Sequence, residues 1–474
     1  MPTEAPVTAD LQQIAHDAVD AAIKAGASDA EAVVYEGDEF NAKVRLGQVE
    51  TLKEADSRGI GLRVFLGQRT ASTSSSDFTR AGLERMVSGA IALAGITSED
   101  PFAGLPDPAD FGQVEGGAVA LALSFDDVYS LAPEERIEIA RRAEAAAMAY
   151  DTRIQNSSGA SFEASTSHKI MVNSRGFTGE SRKSYCGYSV SPIAQDASGA
   201  MQRDYWYASA RTLDLLEEPE EIGRIAAQRA LRRLGARRVP TQQAPVVFSP
   251  EIAASIIGNI FSAANGDAIY RSASFFAGKL GEQVAGENIT VVDDGTMVFE
   301  TPSLRTPGRI VRHGGFGTTP FDGDGLPTRR TVIVERGVLQ NLMLNTYTAR
   351  KLGMQTTGKA SRGLAGSPGI GGGNHYLEPG TLTHDQIVGD VRHGLYVTET
   401  MGFGVNLVTG DYSQGASGMW IENGELAYPV EEITIAGNLK DMFRNIVAIG
   451  NDLEFRGSTA VPTLRIEGMM IAGS

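Results

Sequence analysis

From Asp10, apolar residues recur at helical spacing. Leu11, Ile14, Ala18 and Ala22 mark one face, and Gly26 follows as a stop. The alternating runs Ala32 to Tyr35, Ala42 to Leu46, Glu50 to Ala55, Gly61 to Phe65 and Ala71 to Ser75 come next. Gly37, Gly47, Gly59 and Gly67 punctuate them, which predicts short strands joined by tight turns in an antiparallel meander. Helical spacing returns over Arg80 to Ala94, with Leu83, Met86, Val87 and Ile91 on one face. The same order then repeats: a helix from Pro133 to Tyr150, alternating stretches between Ile154 and Leu213, and a helix from Pro219 to Leu234. Both prolines stand in a first turn, where a missing N–H costs nothing. This predicts a duplicated helix, antiparallel sheet, helix unit making an N-terminal α/β domain over residues 1–240.

Arg237 to Pro245, with two prolines, reads as a linker into a C-terminal domain over residues 241–474. There glycine is dense and strands dominate, with Thr331 to Glu335, Gly394 to Thr400, Gly418 to Glu422 and Leu464 to Met470 the clearest. Helices are expected at Pro250 to Ala264 and Thr346 to Leu352. Ser361 to Gly373, glycine-rich and without periodicity, reads as a mobile loop. The fold class is therefore α+β in two domains.

Composition narrows the function. The chain has 474 residues, 42% apolar and 21% charged, an ordinary globular balance. Its 42 Lys and Arg face 58 Asp and Glu, and the resulting formal charge of -16 disfavours direct binding to nucleic acid or anionic membranes. The one basic cluster, Arg229, Arg232, Arg233, Arg237 and Arg238, closes a helix, where cations offset the dipole. Met1 to Asp10 has two acids, no Lys or Arg and no apolar run behind it, so no secretory signal is expected. The most apolar stretch, Ile252 to Ala264, is too short to span a bilayer core of about 30 Å. A cytoplasmic location follows by elimination. Cys186, the single cysteine, lies in an alternating stretch and reads as a small buried or half-buried strand residue.

Self-contained hydrolytic chemistry is hard to find. None of His16, His168, His313, His375, His384 and His393 has metal-ligand spacing, and there is no HExxH, no HExxxH and no G-x-S-x-G. Gly353 to Ala360 departs from a phosphate loop at Ala360, and Asp322 to Gly325 reads as a polar turn rather than a calcium loop. Adjacent acids, Asp293 with Asp294 and Glu431 with Glu432, point to opposite faces of a strand and read as solvated. His375, where the glycine-rich loop becomes a strand, reads equally well as functional or structural.

Long segments of the C-terminal third resemble the TldD/PmbA family. They are FDGDGLPTRRTVIVERGVLQNLMLNTYTARKLG (Phe321 to Gly353), NHYLEPG (Asn374 to Gly380) and GFGVNLVTGDYSQGASGMWIENGELAYPVEEITIAGNL (Gly402 to Leu439). AIGNDLEFRGSTAVPTLRIEGMMIAG (Ala448 to Gly473) is similar to the PmbA, or TldE, branch in particular. The resemblance implies a two-component metallopeptidase, in which the TldD subunit carries an HExxxH helix and a cysteine that bind zinc and its relative does not. Alignment on Gly278 to Glu282 puts Ile257-Gly258-Asn259-Ile260-Phe261-Ser262 in the HExxxH slot, and the C-terminal domain has no cysteine. The implied chain holds no cofactor, shapes a chamber for extended peptides, and leaves the zinc-activated water to a TldD-type partner. Tyr347, His375, Asp411 and Ser413 are the residues expected to line its substrate side. Pairing as a heterodimer or a homodimer stays open, as does a non-enzymatic homodimeric scaffold or peptide-binding protein. A third alternative is an independent hydrolase using a site of another kind. Family names also connect the group with DNA gyrase, an effect that the charge makes indirect.

Overall fold

A computed structural model describes residues 10–473, so the leader reading, which rests on the first ten residues, lies almost wholly outside the described residues. Asp10 caps α1 (Leu11–Lys24), its carboxylate accepting from the N–H groups of Gln12 and Gln13, and Gly26 turns the chain out at φ 104°. The sheet begins with β1 (Asp29–Arg45), β2 (Gln48–Leu66) and β3 (Arg69–Ser75), followed by α2 (Arg80–Ile96) and a short α3 (Gly117–Ala120). After α4 (Pro133–Ala149) come β4 (Ile154–Asn173), β5 (Thr178–Gln195), β6 (Met201–Arg203) and β7 (Trp206–Ala210), and α5 (Pro219–Leu231) closes the unit. The strands form one antiparallel sheet in the order β3-β2-β1-β4-β5-β6, with β7 beside β5. The two helix-sheet-helix units fuse through β1 and β4, paired from Glu31↔Asn173 to Val44↔Ala160.

Five short strands were expected where three long ones stand. Gly47 and Gly67 do turn the chain, at φ 75° and 61°. Gly37 and Gly59 instead lie mid-strand, opposite Ser57 and Tyr35. A Cβ on Gly37 would sit 2.5 Å from the Thr166 carbonyl oxygen, and one on Gly59 2.7 Å from Leu364 Cδ1, so both glycines permit close approach.

Even-numbered positions of the sheet, among them Ala32, Val34, Ile60, Leu62, Ile170 and Val172, pack under α1 and α2. Further along, Phe40, Ala42, Phe162, Ala164, Cys186 and Tyr188 pack under α4 and α5. All four helices therefore cover one face, as a period of two requires. Cys186 is buried there and its thiol is pushed up to about 12 by burial, an inert packing group.

The expected linker is partly strand, since β8 (Gln242–Phe248) already includes its last residues. Then come α6 (Pro250–Ala263), α7 (Gly266–Tyr270), β9 (Val291–Asp294), β10 (Val298–Pro302), β11 (Ile310–Gly314), β12 (Arg330–Glu335), β13 (Val338–Leu339) and α8 (Thr346–Leu352). They are followed by β14 (Ala360–Ser361), β15 (Gly369–Ile370), β16 (Asn374–Leu377), α9 (His384–Gly389), β17 (His393–Met401), β18 (Asp411–Glu422) and β19 (Glu425–Asn438). The chain ends through α10 (Leu439–Arg444), β20 (Ile446–Ile449), β21 (Thr459–Ala460) and β22 (Leu464–Ala472). Strands β8, β17, β18, β19 and β22 pair in a ring, because β19 meets both β18 and β22. Pro245, with no N–H to give, stands in β8 where β22 bulges between Ile466 and Met469. A second sheet, β13-β12-β9-β16-β21, and α6 share the apolar core of this half. No helix among the described residues is long and apolar enough to cross a membrane.

The arginine cluster does more than offset a dipole. Arg233 pairs with Glu399 at 2.7 Å, Arg238 with Glu432 at 2.5 Å, and Arg237 lies over the Tyr428 ring, so three of the five fasten the first half to the second. Arg229 stays within the first half, bonded to Asp204 and over Trp206.

Candidate functional site

The sheet face turned away from the helices carries the odd-numbered residues Tyr35, Ser167, Lys169, Ser181 and Lys183. Cross-strand register gathers them, with Tyr35 opposite Lys169, Lys169 opposite Ser181, and Ser167 opposite Lys183. Segments 316–323, 358–362 and 371–373 of the second half arch over this face and enclose with it a cavity of about 390 Å³. That is a volume suited to a small ligand. The Ser361 to Gly373 segment, expected as a mobile loop, is anchored here. Its ends pair as β14 and β15, Leu364 packs over Gly59 and Gly61, and the buried Arg362 reaches Glu31 at 2.6 Å.

Cations dominate the lining. Arg63 and Arg362 share the one carboxylate of the buried Glu31. Lys169 and Lys183 are half-buried and line the cavity, and enough protein surrounds each ammonium for burial to control its titration. Burial, with Arg362 nearby, pushes Lys169 down to about 8; burial, with Arg211 and Lys169 nearby, pushes Lys183 down to about 7. The lining carboxylate, Asp322, accepts N–H bonds from Asp324, Leu326 and Ala360, and burial together with Asp324 holds its pKa above the usual carboxylate range.

These lysines have a stability consequence. Unfolded lysines titrate near about 10.4, so between about pH 7 and pH 10 the unfolded chain binds more protons than the folded one, and stability from these groups rises with pH. A Lys169→Met/Lys183→Met double variant is expected to lose that rise, on the order of 2 kcal/mol between pH 7 and 9. Urea midpoints of both proteins at the two pH values measure it, and parallel pH profiles would refute it.

Behind the cavity wall lies a second buried polar cluster. Asp293 on β9 and His375 on β16 are cross-strand partners; His375 Nε2 lies 3.1 Å from Asp293 Oδ1, and Lys359 donates to the other oxygen. The Gly373 N–H also donates to Oδ1, at 2.5 Å. Burial raises the Asp293 carboxyl, but His375 and Lys359 outweigh it and hold the group below its ordinary value. Asp293 and Asp294, read as solvated acids, are thus both buried, Asp294 accepting from Thr296. A strand interior between two sheet neighbours admits no water, and the local partners replace it. Glu431 is half-buried and accepts from Gln202, whereas Glu432 is exposed. Phe261 of α6 stacks on His375, ring centroids 3.8 Å apart and planes at 10°.

The four residues expected to line a substrate surface lie on three elements, Tyr347 on α8, His375 on β16, and Asp411 and Ser413 on β18. Tyr347 donates to Asp100 at 2.7 Å and lines another cavity, of about 450 Å³, with Arg63 and Asp324. His375 belongs to the Asp293 cluster. Asp411 closes a turn by accepting from Thr409 and Asn438, and Ser413 donates its N–H to Gly404. Neither Asp411 nor Ser413 lines the two cavities. Sequence reasoning missed Lys169, Lys183 and Arg362. The polar alternation of Ser167 with Lys169 and of Ser181 with Lys183 was visible, but the register that joins the two pairs was not.

A strand-rich chain of this architecture, with a sheet sealed by helices on one face and by a barrel-bearing half on the other, defines the class of PmbA/TldD-type peptidase-family proteins. The profile described as PmbA/TldA metallopeptidase C-terminal domain matches residues 241–473, the central-domain profile 126–234 and the domain 1 profile 30–94. Metalloprotease PmbA of Escherichia coli O157:H7 is 36% identical, over 98% of this chain and 97% of the relative. A PmbA homolog of Haemophilus influenzae is 35% identical, over 98% and 96%. A crystal structure from Bacteroides thetaiotaomicron, described as a candidate modulator of DNA gyrase, superposes with a TM-score of 0.88 at 28% identity, covering 99% of this chain and 100% of that one. TldE of Thermococcus kodakarensis shares the fold with a TM-score of 0.82 at 20% identity, covering 97% and 100%. The chain belongs to the PmbA/TldD metallopeptidase family.

Proposed function

We propose that this chain is the metal-free subunit of a cytoplasmic two-component zinc peptidase, walling part of the chamber in which a TldD-type partner hydrolyses unfolded or extended peptides. The observation that carries the reading is α6. In the slot aligned with HExxxH it turns Ile257 and Ile260 into the core, has Gly258 at the position of the acid, and lays Phe261 on His375. Ile257 and Ser262 stand at the two histidine positions, the Ser262 hydroxyl donating to the Gly258 carbonyl, and neither fits zinc; among the described residues no group of three or more His, Cys, Asp or Glu is arranged to hold a metal ion. Zinc is thus assigned to the partner, where it would supply the activated water.

Two surfaces support the assembly. Met401 at the end of β17, and Phe403 and Val408 on the loop to β18, are exposed apolar side chains that a partner subunit would cover. The outer edge of β2 from Gln48 to Gly59 pairs with no strand among the described residues, because β3 reaches only Ile60 to Leu66, and its backbone suits addition of an extended peptide strand.

The test is zinc content and peptide cleavage, first with the purified chain and then after mixing with the TldD-type protein of the same cell. The expected outcome is no stoichiometric zinc and no cleavage alone, with cleavage in the mixture. Chelator-sensitive cleavage by the lone chain would overturn the reading, and a stable self-pair inert in every mixture would favour the homodimeric scaffold.

A further inference from the structure

The cavity on the back of the N-terminal sheet carries more positive charge than its neighbours neutralise. Lys359 is matched by Asp293, and Arg63 and Arg362 face Glu31 with the buried Asp324 nearby. The Lys169 and Lys183 ammonium groups hydrogen-bond or ion-pair with no described residue. Arg362 has no accessible side-chain surface, and its Nε and Nη2 donate to no described residue. An orphaned guanidinium in a protein interior is costly, since its donors have been taken from water without replacement. The lining acid, Asp322, offers little relief because its oxygens already serve three N–H donors.

The walls around the two lysines leave room for an acceptor. Glycines 371–373, with Gly295, Gly317 and Gly323, keep the walls free of side chains, and a Cβ on Gly372 would collide with His375 and Asp293. Ser167, Ser181 and Ser361 add hydroxyl groups that can donate to a second acceptor.

We propose that this cavity binds a carboxylate of a short peptide, held by Lys169 and Lys183 between the two halves of the chain, with Arg362 behind the wall adding to the positive field. The oxyanion chemistry stands on the cavity itself; that its carrier is a peptide rests on the function proposed above. Two ammonium groups without a carboxylate of their own act as point charges that the two oxygens of one carboxylate can bridge. The charged groups around the two lysines are Arg362, Arg211, Asp322 and Glu31. Near pH 8 Lys183 is largely neutral in the empty cavity, so an arriving anion favours its charged form and draws a proton from solution.

The experiment uses isothermal titration of the full-length chain, without partner or metal, at pH 6.5 and 8.5 and in two buffers of different ionisation enthalpy. The probes are N-acetyl-dialanine as the free acid, its C-terminal amide, and inorganic phosphate. The free acid is expected to bind at least tenfold more tightly than the amide. Its affinity should fall roughly tenfold at the higher pH, with proton uptake seen as a buffer-dependent heat. Lys183→Met should abolish binding while the thermal transition stays cooperative, and Lys183→Arg should restore binding with a weaker pH dependence, the remainder coming from Lys169. Equal binding of acid and amide, phosphate binding as tight as the acid, no binding of any probe, or unaltered binding by Lys183→Met would each overturn the proposal. Because no partner is present, a mixed complex that cleaves peptides alongside a lone chain that binds no acid would fail this site alone. A lone chain that binds the acid beside an inactive mixture would fail the peptidase reading instead.

Discussion

Replacing Arg211 with methionine is expected to destabilise the protein by about 3 kcal/mol, because several buried carbonyls would lose their donor together. Arg211 is buried at the end of β7, and its guanidinium donates to the carbonyl oxygens of Gly314, Gly315, Phe316, Leu123 and Ser184 at 2.7–3.3 Å. Burial alone lowers its pKa, to about 10, so the charge is held there at a cost that the five acceptors offset. Methionine matches the stem and removes the fork, and lysine can reach only part of the set. Urea denaturation gives the number. A loss below about 1 kcal/mol for the methionine variant would mean that water replaces the guanidinium, contrary to the enclosed geometry.

Gly61→Ala should be nearly as damaging, and by a different route. The new Cβ would lie 1.5 Å from the Leu364 carbonyl oxygen and 2.4 Å from its carbon, both backbone atoms with no rotamer to escape into. The segment 361–373 must then lift from the sheet, taking Arg362 away from Glu31. Trypsin reports this directly, since cleavage after the buried Arg362 requires the segment to open. The cleavage rate is expected to rise at least tenfold, following the open population. Gly363→Ala is the control, with nothing within 4 Å of its Cβ and a residue only two positions from Arg362's other neighbour Ser361. Equal cleavage of the two variants would show that Gly61 does not anchor the segment.

Much of the architecture was legible because periodicity reports burial on one face. The boundaries of α1, α2, α4 and α5 follow their apolar stripes, and the α+β class follows from them. Glycine was misread where it serves approach instead of turning, at Gly37 and Gly59, because a sequence does not show what passes over a strand. The acids at 293 and 294 were misread for a related reason. Their partners Lys359 and His375 are far along the chain, and only the β9 and β16 pairing brings them into contact. The cationic cavity draws on three strands and three separate segments of the second half, so no local window contains it. The family, by contrast, was legible from long ordered segments near the C-terminus.

The ring of five barrel strands also sets a timetable for folding. Its first strand, β8, and its last, β22, are neighbours, and Gln243 donates to the Gly468 carbonyl 225 residues further on. Synthesis at about 5–20 residues per second leaves β8 without that neighbour for roughly 10–45 s. Until then Val246 and Phe248, fully buried in the finished protein, have no lid on one side. The C-terminal half is thus committed to a late, single closure, and a ribosome stalled before Leu464 would hold out an open, apolar sheet edge as a substrate for chaperones.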